Sequence, residues 1–214
     1  MTGMGRVGAK IAGLLLAAGA STRMGGPKQL LHFHGVTLLE RILNEALKSE
    51  LHKIILVLGH QSKEIKKVLG QAIVHKKLSV IENTRYKKGI SSSIITGLLE
   101  VEDNYDHVMI LLADLPHVTS RLINFLIHRY LESLRPIGAI QVKCKRSHPV
   151  IFGRPLYSEL HKLRGDVGAR ALFQKYGDRT CLVEPDFFYD DMDIDTKGDY
   201  AEFQRSLESQ INRL

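Results

Sequence analysis

A loop rich in glycine and in basic residues follows the first apolar run of the chain. From Gly19 to Lys28 it reads GASTRMGGPK, with three glycines, two hydroxyl side chains and Arg23 before the lysine. Glycines let backbone N–H groups approach an anion closely, and arginine and lysine add a planar fork and a point charge. This combination predicts a triphosphate site, with an ordinary glycine-rich turn as the alternative. The spacing matches neither a Walker A loop nor G-x-G-x-x-G.

Carboxylates stand at two places that could hold a divalent cation. Asp114 directly follows the strongly apolar run Val108–Ala113, where it could hold Mg²⁺ against phosphates or cap the turn before Pro116. A second group of carboxylates lies within six residues near the end of the chain: Asp190, Asp191, Asp193 and Asp195. Four like charges this close repel one another unless solvent or a cation relieves them. Both places are therefore candidates for the metal side of a phosphate site.

Apolar runs alternate with helical patterns, and these elements must position the loop and the carboxylates. The predicted strands are Ile11–Ala17, Lys53–Leu58, Leu78–Ile81, Val108–Ala113, Ala139–Val142, Val150–Phe152 and Thr180–Val183. The predicted helices are Thr37–Glu50, Ser62–Leu69, Ser91–Val101, Thr119–Leu134, Pro155–Leu163, Asp166–Tyr176 and Thr196–Leu207. This alternation predicts a three-layer, Rossmann-like α/β fold whose mostly parallel mixed sheet is flanked by helices. Ligands of such sheets bind beyond the carboxyl ends of strands, where the loop and Asp114 lie.

Length and composition restrict the class of protein. The 214 residues predict a single domain over 1–214 with a flexible N-terminus over 1–10. Hydrophobic residues at 44% and charged residues at 25% exclude collagen-like, disordered and disulfide-scaffold classes. No apolar run reaches the roughly 18 residues of a membrane span, and we interpret the run from Ile11 as a strand rather than a signal peptide. Cys144 and Cys181 suggest no disulfide framework, which predicts a reducing cytoplasm.

The net charge of +7 is unevenly distributed. Basic residues concentrate between Lys48 and Lys88 and between Arg135 and Arg170, whereas the segment from Asp178 onward is acidic. A basic protein favours acidic partners such as phosphates, nucleic acid or an anionic membrane. Nucleic acid is disfavoured here, because no recognised motif is present and Tyr86 alone offers a stacking aromatic ring near the basic stretches.

Beyond these chemical features, the loop resembles a known signature. Its form LAAG-x-S-x-R-M-G-G-x-K-x-L is similar to that of the nucleotidyltransferases that activate small molecules with an NTP. Ala18 makes it look like the molybdenum cofactor cytidylyltransferases, since the related guanylyltransferases usually carry a glycine there. Four further segments resemble motifs of this family: residues 83–98, LADLP at 112–116, HPV at 148–150 with RGD-x-G-A-R at 164–170, and DIDT-x-x-D at 193–199. Ser147 departs from the family pattern, in which a glycine precedes the HPV segment, and this bears on the acceptor geometry.

The resemblance implies an Mg²⁺-dependent enzyme that transfers CMP from CTP to the phosphate of a molybdopterin-type molybdenum cofactor and releases pyrophosphate. It implies that Arg23 and Lys28 are catalytic. The implied nucleotide-binding residues are Leu16, Ala17, Ala18, Gly19, Ser21, Arg23, Gly25, Lys28, Ser93 and Asp114. The implied metal ligands are Asp114 and Asp195, and the implied acceptor-binding residues are His148, Arg164, Asp166 and Arg170.

Other functions stay open at this point. The donor could be GTP or another NTP, and the acceptor could be a sugar phosphate or an alditol phosphate. A nucleotide-binding accessory protein that has lost catalysis is a non-enzymatic alternative, and the presence of Arg23, Lys28, Asp114 and Asp195 argues against it. A molybdoenzyme or a cofactor chaperone is a conceivable protein partner of the leading candidate.

Overall fold

A computed structural model describes residues 8–21, 24 and 26–211, with the side chains of residues 207–211 left aside. The strands are β1 (Ile11–Ala17), β2 (His32–Phe33), β3 (Val36–Thr37), β4 (Lys53–Leu58), β5 (Leu78–Glu82), β6 (His107–Leu112), β7 (Ile137–Val142), β8 (Lys145–Gly153) and β9 (Thr180–Val183). The α-helices are α1 (Leu38–Lys48), α2 (Ser62–Leu69), α3 (Ile90–Leu99), α4 (Ser120–Ser133), α5 (Tyr157–Leu160), α6 (Arg170–Lys175) and α7 (Lys197–Ile211). The expected flexible N-terminus falls largely on residues 1–7, which lie outside the described residues.

Seven strands form one sheet in the order β5-β4-β1-β6-β8-β7-β9. Strand β8 runs antiparallel to both of its neighbours, and every other pairing in this sheet is parallel. Strands β2 and β3 form a separate hairpin. The predicted mostly parallel, mixed sheet is confirmed, and β1 lies in its interior between β4 and β6.

Helices cover both faces of the sheet, which explains why its strands read as continuous apolar runs. Alternate residues of β1 enter different cores: Leu15 packs with residues of α1, α2 and α4, and Leu14 packs with residues of α3, α5 and α6. Every residue of β1 is buried. No helix among the described residues has the length and apolar character needed to cross a membrane.

A third, smaller core joins four segments around the candidate site. Phe33 of the hairpin, Leu38 of α1, Ile194 and Phe203 of α7 form its buried centre. Thr37 begins α1 with a capping box, in which its hydroxyl accepts from the backbone N–H of Glu40 and its own N–H donates to the Glu40 carboxylate. This core attaches the hairpin that follows the glycine-rich loop to the acidic segment near the C-terminus.

Three predicted elements differ from the structure. Strand β8 begins at Lys145 rather than Val150, because its hairpin with β7 continues through polar residues that an apolar pattern does not reveal. The two predicted helices over 155–163 and 166–176 shorten to α5 and α6, each preceded by a short 3₁₀ turn. Gly168 has a φ of 56° just before α6, a conformation that interrupts a helix.

Candidate active site

A cavity of about 480 Å³ lies at the carboxyl ends of β1 and β6. These two strands are parallel neighbours, so the loop after β1 and the residues after β6 meet at the same edge of the sheet. Of the predicted nucleotide-binding residues, eight line the cavity: Leu16, Ala17, Ala18, Gly19, Ser21, Lys28, Ser93 and Asp114. The other two, Arg23 and Gly25, lie outside the described residues.

Lys28 joins the two predicted metal ligands at this cavity. Its Nζ lies 2.7 Å from Asp114 Oδ2 and 2.7 Å from Asp195 Oδ1, and all three side chains are partly buried. Burial by itself would lower the pKa of Lys28, but the charges and hydrogen bonds of Asp114 and Asp195 outweigh it, so the pKa is raised. The ammonium group therefore stays charged between two carboxylates.

The carboxylate pair fits a hard divalent cation that also binds substrate phosphates. Asp114 Oδ1 is buried and has no hydrogen-bond partner among the described residues, so one oxygen is available to a ligand. The described residues contain no group of three or more His, Cys, Asp or Glu side chains that could enclose a metal. Mg²⁺ in particular is commonly held by one or two carboxylates together with phosphates and water.

Negative potential accumulates around this pair. The pKa of Asp193 is raised by partial burial and then by the charges of Asp195 and Asp114. Asp193 nevertheless keeps much of its surface exposed, and it lines neither cavity of the site. A cation close to Asp114 and Asp195 would reduce the mutual repulsion of these carboxylates.

Asp195 lies in a segment without regular secondary structure, and three backbone contacts hold it. The N–H of Ile194 donates to the carbonyl oxygen of Asp114 over 3.0 Å, which ties the two carboxylate segments together. Asp199 Oδ2 accepts from the N–H groups of Asp195 at 3.0 Å and Thr196 at 2.7 Å. Because the side chain of Ile194 is also buried in the third core, the Asp195 carboxylate is held beside Asp114.

Ser93 on α3 lines the same cavity and is buried there. The side-chain amide of Asn83 donates to the hydroxyls of Ser92 at 2.8 Å and Ser93 at 3.0 Å. Asn83 Oδ1 in turn accepts from the N–H of Arg85 over 2.9 Å. Asn83 thus links the loop after β5 to the first turn of α3, which forms one wall of the cavity.

Gly89 allows another loop to approach this wall. Its φ is 90°, and a Cβ at this position would lie 2.4 Å from the carbonyl carbon of Gly165. Asp166 Oδ1 then accepts from the backbone N–H of Ile90 over 3.1 Å. This contact seats the loop that carries Asp166 on the start of α3, at the border between the first cavity and a second one.

The second cavity has a volume of about 210 Å³ and shares Ile90, Leu112 and Asp166 with the first. Three predicted acceptor-binding residues line it: His148, Asp166 and Arg170. Arg164 lines neither cavity, and its guanidinium donates to the backbone carbonyls of His161 and Leu163. Its predicted acceptor role stays a prediction.

The imidazole of His148 is a neutral group that lines the second cavity. Desolvation lowers its pKa to about 4, although the charge of Asp114 and a hydrogen bond with the backbone of Ile110 act in the opposite direction. Nδ1 is buried and has no partner among the described residues. The ring therefore offers one polar atom to whatever occupies this cavity.

The carboxyl-edge cavity, its lysine and its two carboxylates can be compared with known proteins. The sequence model of one protein family, the MobA-like NTP transferase domain, matches residues 13–180. The chain belongs to this family. It is accordingly a nucleotidyltransferase, and the predicted superfamily and enzyme class are confirmed.

Relatives of this MobA-like chain carry different names. A probable molybdenum cofactor guanylyltransferase of Bacillus cytotoxicus is 30% identical over 156 residues, which cover 71% of this chain and 69% of that protein. The nicotine blue oxidoreductase of Paenarthrobacter nicotinovorans is 28% identical, with 77% of this chain and 82% of that protein covered. The first of these names indicates guanylyl transfer, not the cytidylyl transfer that the sequence predicts.

A solved structure shares the MobA-like fold closely. Rv0371c from Mycobacterium tuberculosis has a TM-score of 0.78 at 26% identity, and the match covers 92% of this chain and 98% of that one. The same protein has been crystallised in a complex with manganese, which matches with a TM-score of 0.75, 26% identity and coverage of 92% and 100%. A divalent cation thus accompanies this fold in a related protein.

Gln29 and Arg146 line the two cavities, and the sequence alone assigns neither of them a role. Gln29 is buried, and its Nε2 donates to the carbonyl oxygens of Ala17 at 3.3 Å and Gly19 at 3.1 Å, so it holds the start of the loop. The sequence feature that could have revealed Gln29 is its position next to Lys28. Arg146 lines the second cavity, but its position in the sequence lies among other basic residues with nothing to distinguish it.

Proposed function

We propose that the chain transfers CMP from CTP to the phosphate of a molybdopterin-type molybdenum cofactor. The observation that carries this proposal is the pairing of Lys28 with Asp114 and Asp195 at the edge of a cavity formed by the glycine-rich loop. The second cavity, which borders the first along Ile90, Leu112 and Asp166, is the proposed acceptor site. This arrangement supports transfer between two ligands that meet near Asp114.

In the proposed reaction, an oxygen of the acceptor phosphate attacks the α-phosphorus of CTP. A new P–O bond forms, the bond between the α-phosphorus and its bridging oxygen breaks, and pyrophosphate leaves with the electron pair. An ionised phosphate needs no general base, so the protein chiefly positions reactants and offsets developing charge. Lys28, whose raised pKa keeps it protonated, and Arg23 would supply positive charge to the α-phosphoryl and pyrophosphate groups.

Asp114 and Asp195 are the proposed ligands of Mg²⁺. Bound at such carboxylates, Mg²⁺ neutralises phosphate charge and acts as a Lewis acid. The free, buried Asp114 Oδ1 supports this assignment, because a carboxylate oxygen without a partner is costly unless a cation or a donor reaches it. Lys28 keeps the two carboxylates together before ligands arrive.

CTP is the proposed donor on the strength of Ala18. Ala18 lines the first cavity and is buried, and its methyl group lies next to Gly59, where it would meet a Cβ added to that glycine. In this proposal the methyl group, which a glycine would lack, narrows the base site. A pyrimidine base needs less space than a purine. GTP is the second candidate, favoured by the name of the relative from Bacillus cytotoxicus.

The decisive experiment measures pyrophosphate release from CTP and from GTP, with Mg²⁺ and purified molybdenum cofactor as acceptor. We expect faster release with CTP and no release when the acceptor is left out. Faster release with GTP would establish the second candidate. Absence of release with any NTP and acceptor, including sugar and alditol phosphates, would favour a nucleotide-binding accessory protein.

We further propose that the chain acts as one domain in a reducing cytoplasm and passes its product to a molybdoenzyme or a cofactor chaperone. The seven-stranded sheet to which the large cores attach supports a single domain. Both cysteines are free thiols, which supports a reducing compartment.

A further inference from the structure

We propose that Arg146 and Arg170 bind the phosphate of the acceptor and that the second cavity selects acceptors with a compact body poor in hydroxyl groups. This inference rests on the proposed function, because it specifies the class of acceptor for that same site. It assigns a specificity role to Arg146, on strand β8. It also distinguishes two classes of acceptor that carry the same charge: phosphate esters with an apolar or aromatic body, and sugar or alditol phosphates.

The second cavity has an apolar part and a polar part. Eight of the fourteen residues that line it are apolar, among them Ile94, Ile110, Val150 and Phe173, and the polar ones include Arg146, His148 and Arg170. An alditol or sugar has a hydroxyl on nearly every carbon, and the hydroxyls that face the apolar residues would lose water without gaining a protein partner. We therefore expect the cavity to disfavour a polyhydroxylated body relative to a flat or apolar one.

Arg146 and Arg170 stand at the solvent-exposed side of this cavity. The Cζ of Arg146 lies 4.0 Å from the centroid of the Phe173 ring, so a cation–π contact helps to position the guanidinium. Its pKa is lowered by partial burial and by the positive charge of Arg170, which means that the two guanidinium groups repel each other. Neither forms an ion pair with any carboxylate in the described part of the chain.

A phosphate between the two guanidinium groups would remove this repulsion and accept the paired N–H bonds that arginine offers. The location also suits the reaction. The second cavity borders the first along Ile90, Leu112 and Asp166, so an acceptor held by the arginines would adjoin the proposed nucleotide site.

Phenyl phosphate and glycerol 3-phosphate test this inference, because they carry the same charge on bodies of opposite character. Binding is measured by calorimetry on the full chain, saturated with Mg²⁺ and the α,β-methylene analogue of whichever NTP supports turnover. We expect phenyl phosphate to bind at least tenfold more tightly than glycerol 3-phosphate. Arg146→Gln should weaken phenyl phosphate at least tenfold, and Arg146→Lys should recover only part of that loss.

Arg121→Gln is the matched control. The Arg121 guanidinium also lies 4.0 Å from a phenylalanine centroid, that of Phe187, but Arg121 lines neither cavity. This variant should bind phenyl phosphate like the wild type, which separates the loss of a cation–π contact from the loss of an anion site. Equal losses in both variants would overturn the inference.

The outcomes separate this inference from the proposed function. If the nucleotide analogue binds but Arg146→Gln binds phenyl phosphate as tightly as the wild type, the arginine site is wrong and the proposed function stands. Equal affinities for the two phosphates overturn the selection against hydroxyl-rich acceptors. If no nucleotide binds, the proposed function fails, and titration of the nucleotide-free protein with phenyl phosphate decides the arginine site on its own.

Discussion

The two cavities handle positive charge in opposite ways. In the first, the charge of Lys28 is already matched by Asp114 and Asp195, and all three side chains are partly buried. In the second, Arg146 and Arg170 line the cavity at the exposed surface and form no ion pair with any described carboxylate. A neutralised cation can organise carboxylates for a metal, whereas two cations without a counter-ion are suited to receive an anion. This difference fits the proposed donor and acceptor sites.

Removing the matched cation of the first cavity should have the largest effect. Lys28→Ala deletes the charge that faces the reacting phosphates and leaves two carboxylates beside each other. We expect the rate of pyrophosphate release to fall by about 10²–10³-fold, as for the loss of one preorganised electrostatic contact. Steady-state kinetics measures this, with the melting temperature as a check on folding. A folded variant with wild-type turnover would contradict the proposed role of Lys28.

Asp114→Asn should have the second-largest effect on turnover. The amide keeps the shape of the side chain but loses the charge that would hold Mg²⁺, so we expect a loss of about 10²-fold in turnover and a higher Mg²⁺ concentration for half-maximal rate. A Mg²⁺ titration of the rate measures both. Asp178→Asn is the control, because Asp178 is an exposed aspartate that lines neither cavity. An unchanged Mg²⁺ requirement in a folded Asp114→Asn variant would remove Asp114 as a ligand.

His148→Gln probes the acceptor side by itself. We expect the KM for the acceptor to rise about tenfold, in line with one lost hydrogen bond in a desolvated site, while the KM for the nucleotide stays the same. A rise in the KM for the nucleotide instead would place His148 at the nucleotide site and would contradict the proposed division of roles between the two cavities.

The same residue predicts a pH dependence of stability. Since the pKa of His148 is about 4 in the folded protein and 6.5 in an unfolded chain, the unfolded state binds the extra proton first as the pH falls. The free energy of unfolding should therefore decrease between pH 6.5 and 4, and less steeply in His148→Gln than in the wild type. Urea titrations measure it, with exposed His75→Gln as the control. If the free energy of unfolding falls equally with pH in the wild type and in His148→Gln, this prediction is wrong.

The smallest effect concerns the choice of base. Ala18→Gly removes the methyl group of a residue that lines the first cavity. We expect the ratio of kcat/KM for CTP over GTP to drop by up to about tenfold, the scale of one methyl group in a pocket. Competition of the two nucleotides in one reaction measures this ratio directly. An unchanged ratio would show that Ala18 does not determine which nucleotide is used.

The features of the first cavity that the sequence predicted are local. The apolar run Ile11–Ala17, the glycine-rich loop with Lys28, and Asp114 after β6 each depend on neighbours within a few residues, where periodicity and turn chemistry act. The structure confirms the strand and the sheet, and it brings Lys28 and Asp114 together across 86 positions. Arg23 lies outside the described residues, so its role remains a prediction.

Other features could be decided only by the tertiary structure. The polar half of β8 and the position of Arg146 follow from the pairing with β7, which no apolar pattern encodes. Asp195 reaches Lys28, 167 positions away, only because Ile194 is buried in the third core and hydrogen bonds to Asp114. The amino-acid sequence by itself thus determined the fold class, the family and the glycine-rich loop, since these depend on composition, periodicity and short motifs. Which acidic residues meet Lys28, and which basic residues line the second cavity, depended on packing between distant segments.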